Sequence, residues 1–465
     1  MKLSFYGGAG KVTGSNFLIE GSRGKVLVDC GIEQGGDFVA SEMYGPFPYD
    51  VKKIDALVVT HAHLDHVGRI PKLVKDGFSG KIFMTPPTRD LATLILLDSS
   101  HILAEEAERL GRSPLYDDND VETAFSLVEM LDYHVEKEIA SGFSCYLRNT
   151  GHILGSASVR IKDEDGTAVA LTGDIGNSPS LLLPDWEPIT DADAIVMESV
   201  YGDRLHPPHT ERVATLRETL KRAIARGGAI LIPAFSLERT QLMLYELSNF
   251  FSAKELPQIH VFLDSPLAIK VTAVYEKWDQ TYFKKDIEDE IKREGSIFQF
   301  PFLKQTLSRE DSEAIENVKG PKIIIAGAGM SHGGRIGKWE AKYLPDPTST
   351  LIIVGYQAPG SPGRRMMEGA TSVRLNGAEV KIKAKVENLH GWSAHADRDG
   401  LLSFAEASLA VPPAGGRLKT IFTAIGEPSA ERFLAQRIHD YLGAAAIVPD
   451  FGQTWEITES SIKKI

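Results

Sequence analysis

The stretch LVVTHAHLDHVG, residues 57–68, sets three histidines and one aspartate within six positions, directly after an aliphatic run. Such a run predicts a buried strand, and the polar residues then fall on the turn at its carboxyl end. Histidine and carboxylate suit zinc and related divalent ions, and catalytic sites of this kind keep one coordination position open for water. The strand fixes one end of the turn, so its side chains can converge. His61 and His63 can point to one ion, and Asp65 and His66 to a neighbouring one. A single histidine is more often a surface or satisfied core residue than a ligand, but that does not explain four ligating residue types in so short a space.

The whole chain bounds what such a site can belong to. Its 465 residues exceed the size at which one hydrophobic core usually stops growing, so two domains are expected. With 43% hydrophobic, 25% charged and 8% aromatic residues, the composition is that of a soluble globular protein. No window reaches the roughly 18 uninterrupted apolar residues of a membrane span. The start, MKLSFYGGAGKVTGSNFLIE, lacks the apolar core and cleavage site of a secretory signal and predicts two short strands around a Gly-rich turn. A cytoplasmic location is the expectation. Cys30 and Cys145 are the two cysteines, too few for a disulfide framework or a thiolate zinc site, so a metal must be held by histidine and carboxylate. The net charge of −12 argues against a generic nucleic-acid coat, which needs clustered Lys and Arg; it leaves room for a local basic cleft.

Strand-like and helix-like segments alternate, as in an α/β protein. Residues 1 to 35 predict a meander ending at Asp29, DALVVTHAH the next strand, and a helix runs from Gly68 to Gly77. KIFMT is a strand, and residues 88–108 are helical in period. FSCYLRNTGHILGSASVRIK, TAVALTGDIG and DAIVMESVYGDR continue as strands, the last ending at Glu198. Thr210 is the expected N-cap of a helix that runs to Arg226 and stops at Gly227 and Gly228. AILIPAFS, IHVFLDSP, KIIIAGAGM and STLIIVGYQ then supply further strands, so that residues from 206 to 380 look like an α/β insertion. The Pro-rich pieces YGPFPYD, DRLHPPHT and LAVPPAGG read as connections.

HAHLDH resembles the HxHxDH signature of the metallo-β-lactamase fold, an αββα sandwich that holds one or two zinc ions between two facing sheets. The other elements of that fold occur in order: Asp29 at the end of an early strand, His152 in GHILGS and Asp174 in LTGDIG. By this resemblance His61, His63 and His152 bind one zinc, Asp65 and His66 bind a second, and Asp174 bridges them. Asp29 is expected to support the histidine loop as a hydrogen-bond acceptor. ESVYGDR, PAFSLERTQ, LDSPLA, GMSHGGRIG and GWSAHADRD resemble the β-CASP family of RNA and DNA nucleases, and the resemblance covers nearly the whole chain. It implies residues 1–205 as the first part of a metallo-β-lactamase domain, 206–380 as an inserted α/β β-CASP domain, and 381–465 as the C-terminal part of the first domain.

The implied activity is zinc-dependent hydrolysis of phosphodiester bonds in single-stranded RNA, with single-stranded DNA as a second substrate, leaving 5′-phosphate and 3′-hydroxyl ends. Glu198 and His395 are expected to hydrogen-bond, with His395 reaching the scissile phosphate. The assemblies left open are a homodimer and a processing complex. Against the acidic net charge, the candidates for substrate contacts are Arg239, Ser331, Arg335, Lys338, Arg364, Arg365 and His395. The Gly-rich turn ahead of Arg335 and Lys338 offers amides for a phosphate at a helix N-terminus; His332 inside it is read as a turn residue.

One departure stands out. Where related sequences end a late strand with HGE, whose histidine completes the shell of the second zinc, this chain has TAIGEP, with Ile425 in the histidine position. Isoleucine cannot ligate, and His439 lies in a predicted helix as a surface residue. Water filling the vacant position of a slow nuclease, an RNA-binding subunit without the chemistry, and a substitution that disables an intact nuclease are the three explanations open. A metallo-hydrolase of small thioesters, lactones or β-lactams is the alternative of another class, and the long insertion argues against it.

Overall fold

Alternation along the first strands divides their side chains between two faces. Val26 and Val28, Ala56 and Val58, and Phe83 join one buried cluster, while Leu27, Leu57 and Ile82 between them are equally buried but outside that cluster. A sheet with both faces covered follows from this pattern. The computed structural model describes residues 1–34, 41–331, 333–358, 360–409 and 417–465. They divide into two units, Met1–Leu205 with His395–Ile465, and His206–Ala394. His332 and the 410–416 part of the Pro-rich connection lie outside the described residues.

The first unit has two sheets. In the eight-stranded one the order is Ile462–Lys464, Thr454–Ile457, Lys2–Gly7, Asn16–Glu20, Lys25–Val28, Ala56–Val58, Lys81–Met84 and Val128–Met130. In the seven-stranded one it is Ala446–Ile447, Thr420–Ala424, Ala194–Glu198, Ala168–Leu171, Ala157–Asp163, Phe143–Asn149 and Lys137–Ala140. Phe5, Phe17, Val26 and Val58 of one sheet and Leu147, Val159, Val196 and Phe422 of the other form a single core, each side chain stabilising the fold by roughly 1.5–3 kcal/mol. On the far face of the second sheet Ile195, Met197 and Ile421 pack with Leu401 and Phe404 of the helix Arg398–Leu409 and with Leu434 and Ile438 of the helix Pro428–Leu442.

The second unit is built on six strands in the order Leu303–Gln305, His260–Leu263, Lys322–Ala326, Ala229–Pro233, Thr350–Ile353 and Lys385–Asn388, all parallel. Its strands are near-continuous apolar runs such as KIIIA and AILIP, as a sheet buried on both faces requires. The last strand pairs with Thr350–Ile353, within the compact unit that runs to Ala394.

Local differences have simple causes. The expected single helix from Gly68 is two short ones, Leu64–Val67 and Ile70–Lys75, because Arg69 between them has φ −108° and ψ 6°. Thr210 does not cap its helix. His209–Arg226 already includes it, Pro208 stands at the cap, and Gly227 ends the helix with φ 84°, where glycine pays no steric penalty. No helix among the described residues is long and apolar enough to cross a membrane.

Candidate metal centre

Strand direction explains why residues far apart in sequence meet. Lys25–Val28, Ala56–Val58 and Lys81–Met84 run parallel, as do Ala168–Leu171, Ala194–Glu198 and Thr420–Ala424 in the other sheet. Asp29 follows the first of these, and Thr60, His61 and His63 follow the second. Asp174 follows Ala168–Leu171, Glu198 ends its own strand, and Ile425 follows Thr420–Ala424. His152 joins them from the loop after Phe143–Asn149. Gly173, with φ 56°, lets the Asp174 loop lie against the histidine loop, since a Cβ there would stand 2.7 Å from the Cβ of Thr60.

The first metal set assembles. One ligand atom from each of His61, His63, His152 and Asp174 lies within 4.8 Å of the others. His61 Nε2 is 3.2 Å from Asp174 Oδ2 and 3.1 Å from His63 Nδ1; His152 Nε2 is 3.2 Å from His63 Nδ1 and 3.4 Å from Asp174 Oδ2. Burial lowers the proton affinity of all three imidazoles, most for His63 and His152, and repulsion from neighbouring histidines, His66 for His61, His61 for His63 and His395 for His152, adds to it. Neutral imidazoles beside an ionised carboxylate are the protonation state that a divalent cation needs.

Asp29 orients this set without entering it. Its Oδ1 accepts the Thr60 amide and its Oδ2 the Thr60 hydroxyl, both at 2.8 Å, and His66 Nδ1 lies 2.7 Å from Oδ2. A hydroxyl has one proton. With that proton on Asp29, the 3.0 Å contact between Thr60 Oγ1 and His61 Nδ1 requires His61 to donate from Nδ1, so its Nε2 keeps a lone pair for the site. Sequence reasoning named Asp29 and missed Thr60, an ordinary strand-end residue with no motif of its own.

The expected second set is less closed. His66 Nε2 is 3.4 Å from Asp174 Oδ1 and from Ser15 Oγ. Although burial opposes its charge, the Asp174 and Asp29 carboxylates hold His66 well above the usual histidine range. Asp65 is half-buried in the first turn after His63, and burial raises its carboxyl. Asp65 and His66 belong to neither group of ligand atoms that converge within 4.8 Å among the described residues. Ile425 is 2% exposed and joins the inter-sheet core. Its φ is 50°, a region uncommon for any side chain and an outlier for a β-branched one. His439 lies on the exposed side of the helix Pro428–Leu442 beside Asp440.

Glu198, His395 and Asp174 form the second converging group. His395 Nδ1 is 3.1 Å from Glu198 Oε2 and 3.9 Å from Asp174 Oδ2. The backbone of His395 bridges to Gly176, which ties this late segment to the Asp174 loop. Burial disfavours a charged His395, yet the Glu198, Asp174 and Asp65 carboxylates push it up to about 9.

Of the predicted substrate residues of the second unit, Arg239, Ser331, Arg335, Lys338 and Arg364 are engaged within the protein. Arg335 Nη1 donates to Asp264 Oδ1 at 2.7 Å and to the Thr306 carbonyl at 2.8 Å, and Nη2 to the Leu307 carbonyl at 2.8 Å. Arg239 is buried with Nη1 on the Val354 carbonyl, and Ser331 is buried with its hydroxyl on Glu340 at 2.6 Å. Lys338 pairs with Glu316 at 3.2 Å and Arg364 with Glu368 at 2.6 Å. Arg365 is exposed and lines a shallow cavity with Arg374 and Glu379.

Buried polar atoms test whether the first set fits a metal. Imidazole nitrogens that face one another at 3.1–3.2 Å, His61 Nε2 and His152 Nε2 each on His63 Nδ1, are better explained by a shared cation than by mutual hydrogen bonds. The residues fit.

Comparison with known proteins gives three family matches: residues 9–82 match the metallo-beta-lactamase superfamily, residues 240–366 the Beta-Casp domain, and residues 379–449 the Zn-dependent metallo-hydrolase RNA specificity domain. Ribonuclease TTHA0252 of Thermus thermophilus is 35% identical over 406 residues, 87% of this chain and 91% of that protein. The RNase J-like protein of Methanocaldococcus jannaschii is 33% identical over 409 residues, 86% of this chain and 88% of its own length. The transcription termination factor FttA of Methanosarcina mazei is 30% identical over 457 residues, 95% of this chain and 69% of that one. A crystal structure of a protein of unknown function from Enterococcus faecalis V583 shares the fold, with a TM-score of 0.52, 11% identity, and coverage of 97% of this chain and 99% of the other.

Proposed function

This chain belongs to the β-CASP family of metallo-β-lactamase-fold RNA nucleases, and from that premise we propose that it is a zinc-dependent ribonuclease that hydrolyses single-stranded RNA. The observation that carries this reading is the convergence of His61, His63, His152 and Asp174 within 4.8 Å. Zinc bound there supplies the Lewis-acid charge for hydrolysis of a phosphodiester. His61, His63 and His152 are the neutral donors and Asp174 the anionic one. Thr60 and Asp29 hold the His61 ring in the tautomer that aims Nε2 at the site. His395, held at Nδ1 by Glu198, is the residue proposed to bind a phosphate oxygen or to deliver a proton to the leaving 3′-oxygen. The RNA-specificity family match at residues 379–449 and the ribonuclease names of two relatives support RNA over a small ester or lactam. A reducing, cytoplasmic setting fits the two buried free thiols.

Ile425 favours a second reading, an RNA-binding protein with impaired chemistry, because it removes the donor that would complete the second zinc. Asp65, His66 and Asp174 would be left to hold that ion with one ligand fewer. Zinc content by mass spectrometry separates the cases without relying on turnover. The nuclease reading expects at least one zinc per chain, lost in His63→Ala; a protein that takes up no zinc would overturn it.

A further inference from the structure

Three large apolar side chains stand exposed just past the carboxyl ends of the second unit's parallel strands. Phe235 follows Ala229–Pro233 and is 37% exposed, Tyr356 follows Thr350–Ile353 and is 38% exposed, and Leu307 follows Leu303–Gln305 and is 55% exposed. The strands that lead to Phe235 and Tyr356 are neighbours in the sheet. A single exposed ring is ordinary. The way Phe235 is held is not.

Its loop, AFSLE, is fixed at every residue that follows the ring. The Phe235 carbonyl accepts both the amide of Thr240, at 3.3 Å, and its hydroxyl, at 2.8 Å. The Ser236 carbonyl accepts Gln241 Nε2 at 3.2 Å. Glu238 has φ 62° and ψ −54°, and the Arg239 amide reaches back to the Leu237 carbonyl at 2.8 Å; this is the rare, strained form of a γ-turn. The Glu238 carboxyl is buried and accepts the Tyr275 hydroxyl.

Strain and buried polar groups are thus maintained around a ring that faces solvent, a pattern that recurs at binding sites. Two glycines complete the seat. A Cβ on Gly329 would lie 2.8 Å from Phe235 Cδ2, too close for the ring to stay where it is, and one on Gly355 would lie in ordinary contact with it, 3.5 Å from Cε2, so both backbones pass against the ring. The carboxyl edge of an open parallel sheet is where α/β folds take ligands, and the guanidinium of Arg335, 26% exposed, lies at the same edge.

From this geometry we infer that Phe235 is a stacking seat for a nucleobase of single-stranded RNA, with Tyr356 beside it as the adjoining apolar wall. The substrate class rests on the reading in the preceding section. Stacking on an aromatic face is indifferent to base identity, so the seat contributes affinity and register rather than sequence choice. Leu307 is left outside the seat, since its strand lies at the far edge of the sheet.

The test is binding of a short single-stranded RNA that contains 2-aminopurine, measured in chelator so that no turnover intervenes. Wild type should bind and quench the 2-aminopurine fluorescence. Phe235→Leu, an exposed substitution with a melting temperature to be checked alongside, should weaken binding by roughly 5- to 150-fold, the equivalent of about 1–3 kcal/mol per stacked base. It should also abolish the quench, while Phe235→Tyr and Phe235→Trp keep both. Equal affinity and equal quench in wild type and Phe235→Leu would overturn the stacking seat and leave the ribonuclease reading intact. Absence of RNA binding by the wild type both in chelator and with zinc restored would overturn both.

Discussion

Thr60 gives both its amide and its hydroxyl to Asp29, at 2.8 Å each, and through that pair the aspartate fixes two histidines at once, His66 directly and His61 by way of the hydroxyl. Asp29→Asn keeps the volume but cannot accept three donors with the same oxygens. Zinc affinity should fall by roughly 10- to 100-fold, as for other residues that orient metal ligands. Thr60→Val, which removes the hydroxyl alone, should act in the same direction. Competition with a chromophoric chelator measures both, and unchanged affinity in Asp29→Asn would remove the orienting role.

Glu198 and His395 predict the opposite separation. Neither belongs to the group formed by the three histidines and Asp174, so His395→Ala and Glu198→Gln should retain the zinc at that group while cleavage slows by roughly 10²- to 10⁴-fold, the range for a lost general acid. Zinc content and single-turnover rates on the same samples decide this. Loss of metal in His395→Ala would make the histidine a ligand instead.

Ile425 sits at φ 50°, a conformation in which histidine is found far more readily than a β-branched residue. Ile425→His should therefore be tolerated by the backbone, giving up only the apolar contacts of one side chain. Zinc should rise from about one to about two ions per chain. A stoichiometry of two in the wild type would show that another residue already fills the position.

Glu238 makes stability depend on pH. Burial raises its carboxyl from 4.5 to about 7, partly offset by the Tyr275 hydroxyl and the Arg239 charge. The folded chain thus holds a proton that the unfolded chain releases near 4.5. The contribution to stability is complete below that pH and is lost as pH rises through about 7, by roughly 3 kcal/mol. Glu238→Gly relieves both the charge and the strained φ, so it should melt higher than wild type at pH 8 and lose most of that advantage at pH 5. An equal difference at both pH values would contradict this.

HAHLDH announced the first sheet's contribution because its spacing alone concentrates ligands. Asp174, His152 and His395 were legible only through the order of their motifs, since parallel strands bring together what sequence keeps apart. Arg335 shows what was not legible: its charge is visible in the sequence, but not the buried Asp264 that takes up its guanidinium. Lys385–Asn388 is hidden for a similar reason, because it is recognisable as a strand of the second unit's sheet only from its pairing with Thr350–Ile353.

Zinc-dependent hydrolysis is read out by cleavage of an end-labelled single-stranded RNA, with the chain as purified, after chelation, and after zinc is restored, beside His152→Ala treated in the same way. Cleavage by the wild type should stop on chelation and return with zinc, and the variant should show neither. Cleavage that persists in His152→Ala, or a zinc-loaded wild type that binds the RNA without cutting it, would contradict it.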